Sequence, residues 1–187
     1  MRNKTIYQMT LSAMLMAVAI LIPMFSPVKV IIEPASFTLA SHVAIMIAMF
    51  ISPAVAVAVE LGASIGFFMA GFPIVVVLRA LAQIVFVVIG SLWLKKKPEL
   101  MKKTISMIGF AIVIGVIHAV CEVAVAMPFY FAGTLTSTIL YNVFVLVGIG
   151  TLVHSCVDFA IAVLVWKALV KSRSIASVSC VKEIEFH

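Results

Sequence analysis

Of the 187 residues, 65% are apolar and only 11% are charged, against roughly 25% charge in an ordinary soluble domain. This excludes a free-standing soluble fold and makes the bilayer the natural solvent. The net charge of +6 sits in three short clusters: Arg2 with Lys4, the KKKPELMKK run at 95–103, and Lys167, Lys171 and Arg173. It is therefore a topology signal, and a nucleic-acid-binding surface is excluded.

The first apolar run, Thr5 to Met24, follows two basic residues but precedes no small-x-small cleavage site, so it is predicted to be a retained transmembrane helix. Phe25 to Ser36 holds two prolines, a lysine and a glutamate and is expected to be a partly extended external loop. Phe37 to Ile51 and Ala54 to Ala70 are predicted helices, separated by Ser52-Pro53 and short for a full crossing. After a turn at Gly71, Phe72 and Pro73, the fourth helix is predicted over Ile74 to Leu94, and the fifth over Thr104 to Met127. Pro128 opens a second irregular segment to about Ser137. The last helix is expected from about Tyr141 to Val170, with a break at Gly148-Ile149-Gly150, and the tail from Lys171 is expected to fray.

The resulting fold class is an all-α membrane bundle of about six transmembrane helices. It is divided into a substrate-binding domain at 1–170 and a polar cytoplasmic tail at 171–187. An even number of crossings puts all three basic clusters on one face, which the positive-inside rule makes cytoplasmic together with both termini. Cys121, Cys156 and Cys180 show no paired spacing, so small packing residues are expected and not a disulfide framework or thiolate metal site.

An ionisable group at the bilayer centre costs at least about 2.5 kcal/mol and needs a reason to be there. The residues that need one are His42, Glu60, Arg79, Glu122 and Asp158, with Gln83, His118, Asn142 and His154 as polar neighbours. Arg79 and Gln83, His118 and Glu122, and His154 and Asp158 are i,i+4 pairs, each on one helix face. If the three faces converge they outline one pocket, with His42, Arg79, Gln83, His118, Glu122, Asn142 and His154 as candidate substrate-binding residues. Arg79, with its planar fork, suits a carboxylate guest. The plainer alternative is that Arg79 pairs with Glu60 or Glu122 and that each His/acid pair satisfies itself, holding helices together. Asp158 is expected to be structural or gating. The HExxH arrangement is absent, and no metal, cofactor or catalytic constellation is expected. Ala13 and Ala17, four residues apart on the first helix, allow another helix to approach closely.

These features resemble a known family. The block SFTLASHVAIMIAMFISPAVAVAVELGASIGFF at 36–68, the later IGVIHAVCEV and GTLVHSCVDF segments, Ala13-x-x-x-Ala17 and the proline-rich first loop are similar to the S components of energy-coupling factor (ECF) vitamin transporters. The likeness runs from about Lys4 to Leu169 and is nearest the pantothenate and niacin group. It implies a non-enzymatic subunit in the bacterial plasma membrane that binds one vitamin from outside and topples to deliver it. The partners it implies are a transmembrane coupling subunit, docked at Ala13 and Ala17, and two cytoplasmic ATPases; the chain itself has no GxxxxGK[ST] motif. The first external loop acts as lid. Arg79, with Lys29 and His42 nearby, favours an anionic vitamin, and hydroxyl and amide partners at Asn142, His118 and Glu122 tilt the choice to pantothenate over nicotinate. Phe129, Tyr130, Phe131 and Tyr141 are candidate pocket aromatics. The competing classes are a stand-alone proton-driven transporter using Glu122 or Asp158, an intramembrane enzyme using His118 or His154, and a structural membrane protein.

Overall fold

A computed structural model describes residues 4–32, 35–130 and 137–185. Uninterrupted apolar sequence leaves the backbone no better hydrogen-bond partner than itself, so helices dominate. In chain order they are α1 (Lys4–Phe25), α2 (Val43–Ile51), α3 (Pro53–Met69), α4 (Ile74–Ala82), α5 (Ile84–Lys96), α6 (Thr104–Tyr130), α7 (Ser137–Tyr141), α8 (Gly150–Leu169) and α9 (Arg173–Val178). Among the described residues, four stretches are long and apolar enough to cross a membrane: Lys4–Phe25, Ile74–Lys96, Thr104–Phe129 and Asn142–Leu169. α2 and α3 are shorter, so four spans of sufficient length stand where six were expected.

The first loop holds more order than its prolines implied. Strands β1 (Lys29–Ile32) and β2 (Ala35–Thr38) pair antiparallel, Lys29 opposite Thr38 and Ile32 opposite Ala35. The second helix is correspondingly shorter than predicted, because Phe37 and Thr38 belong to β2 and the chain turns through Ala40 at φ 68 before α2 begins. Every residue of α2 is buried; it contacts α1, α3, α5 and α8 and forms the centre of the bundle. Ser52 ends it and starts α3, its Oγ accepting from the Val55 amide at 3.2 Å with Pro53 in the first turn.

α1 packs on α3 through Gly62 and Gly66, where a Cβ would overlap the side chains of Met16 and Ile20. Ala13 and Ala17 lie elsewhere, exposed on the outer face of α1. The long span at 74–96 is interrupted at Gln83, whose amide bonds to the Ala80 carbonyl one residue early. The break expected at Gly148-Ile149-Gly150 is instead a π-helical stretch, Asn142–Ile149, running directly into α8. Pro128 is accommodated near the end of α6, while residues 131–136 lie outside the described part.

The tail corrects a prediction. It was expected to fray, but α9 and the strap after it are docked, with Val178, Val181 and Ile184 buried. α2 ends with carbonyls that its own turn cannot satisfy. The Cys180 amide donates to the Phe50 and Ile51 carbonyls at 3.1 and 2.9 Å, and the Val181 amide to Phe50 at 3.0 Å. Trp166 Nε1 donates to the Val181 carbonyl at 3.2 Å. The three basic clusters meet at this end: Lys4 and Arg173 line one cleft, and Lys102 pairs with Glu183 of the strap. Burial raises the Cys180 thiol above its ordinary range despite the lysines nearby, in keeping with a packing role. Truncation after Val178 strips the partners from the Phe50 and Ile51 carbonyls and from Trp166. At about 1–3 kcal/mol per buried group left unpaired, the truncated chain is expected to melt several degrees lower in detergent. An unchanged melting temperature would refute the strap's role.

Candidate functional site

At the end of the bundle away from the basic clusters, α1, the hairpin, α2, α3, α4, α6 and α8 enclose a cavity of about 230 Å³. Five of the seven candidate residues line it: His42, Arg79, Gln83, Glu122 and His154. His118 is fully buried behind Glu122, with Nε2 3.3 Å from Glu122 Oε1 and Nδ1 3.3 Å from Ser155 Oγ. Asn142, the first residue of the π-helical stretch, is half-buried and absent from the lining. Of the candidate aromatics, Phe129 and Tyr141 are exposed, and the side chains of Tyr130 and Phe131 lie outside the described residues. The aromatic rings that do line the cavity are Phe67 and Phe72, at the end of α3 and in the turn that follows.

The network has two centres. Asp158, fully buried on α8, accepts the Ala40 amide on Oδ1 at 2.8 Å, and the His42 amide and His42 Nδ1 on Oδ2 at 2.9 and 3.1 Å. His154, one turn earlier, reaches the same oxygen at 3.3 Å and Ser41 Oγ at 3.1 Å. His42 Nε2 lies 3.0 Å from Gln83 Nε2. The His42 ring is thus held from both sides, and it packs edge-on against His118 and His154 at 4.8 and 4.9 Å between centroids. The hairpin joins this centre through Phe37, whose ring lies against His154 and occupies the space a Cβ on Gly150 would fill.

The second centre is Glu122 on α6. Arg79 donates to its Oε2 through Nε at 2.7 Å and also through Nη2. Thr151 Oγ1 donates to the same oxygen at 3.4 Å. The choice left open by the sequence is thereby made: Arg79 pairs with Glu122 and not with Glu60. His118 with Glu122 and His154 with Asp158 do sit at bonding distance within their own helices, but each is also tied to another helix. Glu60, read from sequence only as a partner for Arg79, lines the cavity by itself, as do Lys29, Thr38 and Ser41. Its isolated charge in an apolar helix was the signal that marked it.

Two trios, His42–His118–Glu122 and His42–His154–Asp158, bring their donor atoms within 4.8 Å of one another. Such sets can hold a cation, but here both carboxylates are committed, Glu122 to Arg79 and Asp158 to two backbone amides. The arrangement is a hydrogen-bonded wall around a small cavity. Ser41 Oγ lies 3.1 Å from His154 Nε2 and 3.3 Å from His42 Nδ1, so the hydroxyl is part of the same wall.

The chain is 40% identical over 164 residues, 86% of its own length and 73% of the relative's, to the niacin transporter NiaX of Lactococcus lactis subsp. cremoris (strain MG1363). The chain belongs to the NiaX family of transporters. No protein-family model and no solved structure matches it. Kinship with a transporter and the long apolar helices make it a multi-pass membrane protein.

The Arg79–Glu122 pair is buried, so removing one partner strands a charge. Glu122→Leu is expected to cost about 3–5 kcal/mol of stability. Arg79→Leu/Glu122→Leu is expected to recover most of that loss, since two apolar groups replace the pair. Unfolding of the three chains in detergent measures the coupling, and additive effects would show that the pair holds nothing together.

Proposed function

We propose that this chain is the vitamin-capturing subunit of an ECF-type importer and that its cargo is niacin. The observation that carries the reading is a small cavity with a cationic side chain in its wall, in a relative of a niacin transporter. Its volume of about 230 Å³ falls below the roughly 300–1,000 Å³ of pockets for drug-sized ligands, which suits a single-ring acid and disfavours flavins and folates. Lys29 on the hairpin and Arg79 on α4 border the cavity. A carboxylate entering past Lys29 meets the Arg79 guanidinium, whose several donors serve Glu122 and a second acceptor together. His42, Gln83 and His154 complete the polar lining, and His118 acts from behind Glu122.

The preference for pantothenate gives way to niacin on two grounds. The relative's name is one. The other is Asn142, which was needed for pantothenate's extra polar groups and is not in the lining. The remaining features of this reading are six crossings, with α2 and α3 screened by their neighbours, and both termini cytoplasmic with the basic end. The hairpin serves as lid. Ala13 and Ala17 form the docking notch for a coupling subunit that works with two ATPases in the plasma membrane.

Calorimetry on the detergent-solubilised chain is expected to show nicotinate binding more tightly than pantothenate; the reverse order would restore pantothenate. In a Glu122→Gln background, which avoids stranding a carboxylate, Arg79→Ala is expected to weaken nicotinate more than about tenfold, and unchanged affinity would remove Arg79 from the site. Ala13→Trp and Ala17→Trp are expected to abolish ATP-dependent uptake while sparing binding. Uptake into liposomes by the chain alone would point instead to a self-sufficient transporter.

A further inference from the structure

Among the described residues, one buried polar atom in the cavity wall has no hydrogen-bond partner. Glu60, in the middle of α3, is fully buried. Its Oε1 accepts from Ser64 Oγ at 3.2 Å, one turn on in the same helix. Among the described residues, its Oε2 is the buried side-chain atom left without a hydrogen bond. The other carboxyls of the site are saturated: Asp158 takes two amides and two imidazoles, and Glu122 takes Arg79, His118 and Thr151. An acid left half-satisfied in an apolar helix is costly, and helix packing draws nothing from it. No cation is assigned to it either, since Arg79 is bonded to Glu122. Its side chain forms part of the wall of the cavity that Arg79 also borders.

We infer that Glu60 is a specificity residue whose free oxygen binds the ring nitrogen of a pyridine carboxylate. The inference rests on the niacin reading above and extends it. The guest carries two polar groups of opposite character. Its carboxylate is repelled by Glu60 and drawn to Arg79; with Arg79 shared between Glu122 and that carboxylate, the ring nitrogen is left to pair with an oxygen elsewhere in the wall. Glu60 supplies that oxygen. The bond is a single shared proton between Oε2 and the nitrogen: a carboxylic acid donates it to a neutral pyridine, or a pyridinium donates it to a carboxylate, and the hydrogen-bonded pair is the same. Glu60 lines the cavity while exposing no surface to water, so contact with the guest requires its carboxyl to turn toward the cavity. A buried polar group that loses its partner discriminates strongly against an analogue lacking that atom.

The test compares nicotinate with benzoate, which has the same carboxylate and ring shape but carbon in place of the nitrogen. Calorimetry on the full wild-type chain in detergent is expected to show nicotinate binding between about 10-fold and 100-fold more tightly. Glu60→Leu and Glu60→Ala are expected to bring nicotinate down to the affinity of benzoate while benzoate binding stays within about threefold. Retained benzoate binding also reports that the variants are folded. Variants that keep the wild-type preference for nicotinate would overturn the role of Glu60. So would equal binding of the two acids by the wild-type chain, a comparison that needs no variant. Both results leave niacin as cargo untouched, whereas a wild-type chain that binds neither acid and takes another vitamin overturns the functional reading, and this inference with it.

Discussion

A single carboxylate holds the pocket end of the bundle in register. Asp158 lies on α8, far along the chain from the turn it caps, yet its two oxygens take the amides of Ala40 and His42. α2 has only nine residues and no side-chain cap of its own, so alone it would be a marginal helix. A negative charge at its N-terminus satisfies two orphan donors and complements the helix dipole. The same contact fixes Ala40 in the left-handed region that a residue with a Cβ enters only under constraint. From that point β2 leaves in one direction and α2 in the other, so the position of the hairpin over the cavity depends on an acid from a distant helix.

The bilayer explains why the network is so complete. With no water in the hydrocarbon region, every buried polar group must find a partner in the protein. The three histidines, Gln83, Ser41, Ser155 and Thr151 do so by linking the hairpin, α2, α4, α6 and α8. Rigidity follows: the lining residues are oriented before any guest arrives, which reduces the ordering cost of binding. Glu60 departs from this pattern, with one carboxyl oxygen unbonded among the described residues. The opposite end of the bundle follows the same rule, with strap amides closing the carbonyls at the end of α2.

Much of this was legible in the residues. Uncharged runs identify membrane helices because a charge in hydrocarbon costs more than a helix can easily absorb, and the four long spans fall where those runs lie. The i,i+4 pairs also revealed which side chains share a face. What failed was of two kinds. Local pattern could not see the hairpin, since Phe37 and Thr38 read as the start of an apolar helix until the turn at Ala40 is known. Nor could it see the docked tail, whose few apolar residues, Val178, Val181 and Ile184, stand isolated among polar ones and bury where α2 ends nearby with open carbonyls.

The amino-acid sequence by itself determined the solvent, the helices, the pool of ionisable groups and their faces, because these follow from transfer energies and the 3.6-residue turn. Only the tertiary structure decided which group meets which. Glu60 and Glu122 offer Arg79 the same chemistry, and no spacing along the chain ranks them. The packing of α4 against α6 brings Glu122 to the guanidinium and leaves one Glu60 oxygen without a hydrogen bond among the described residues.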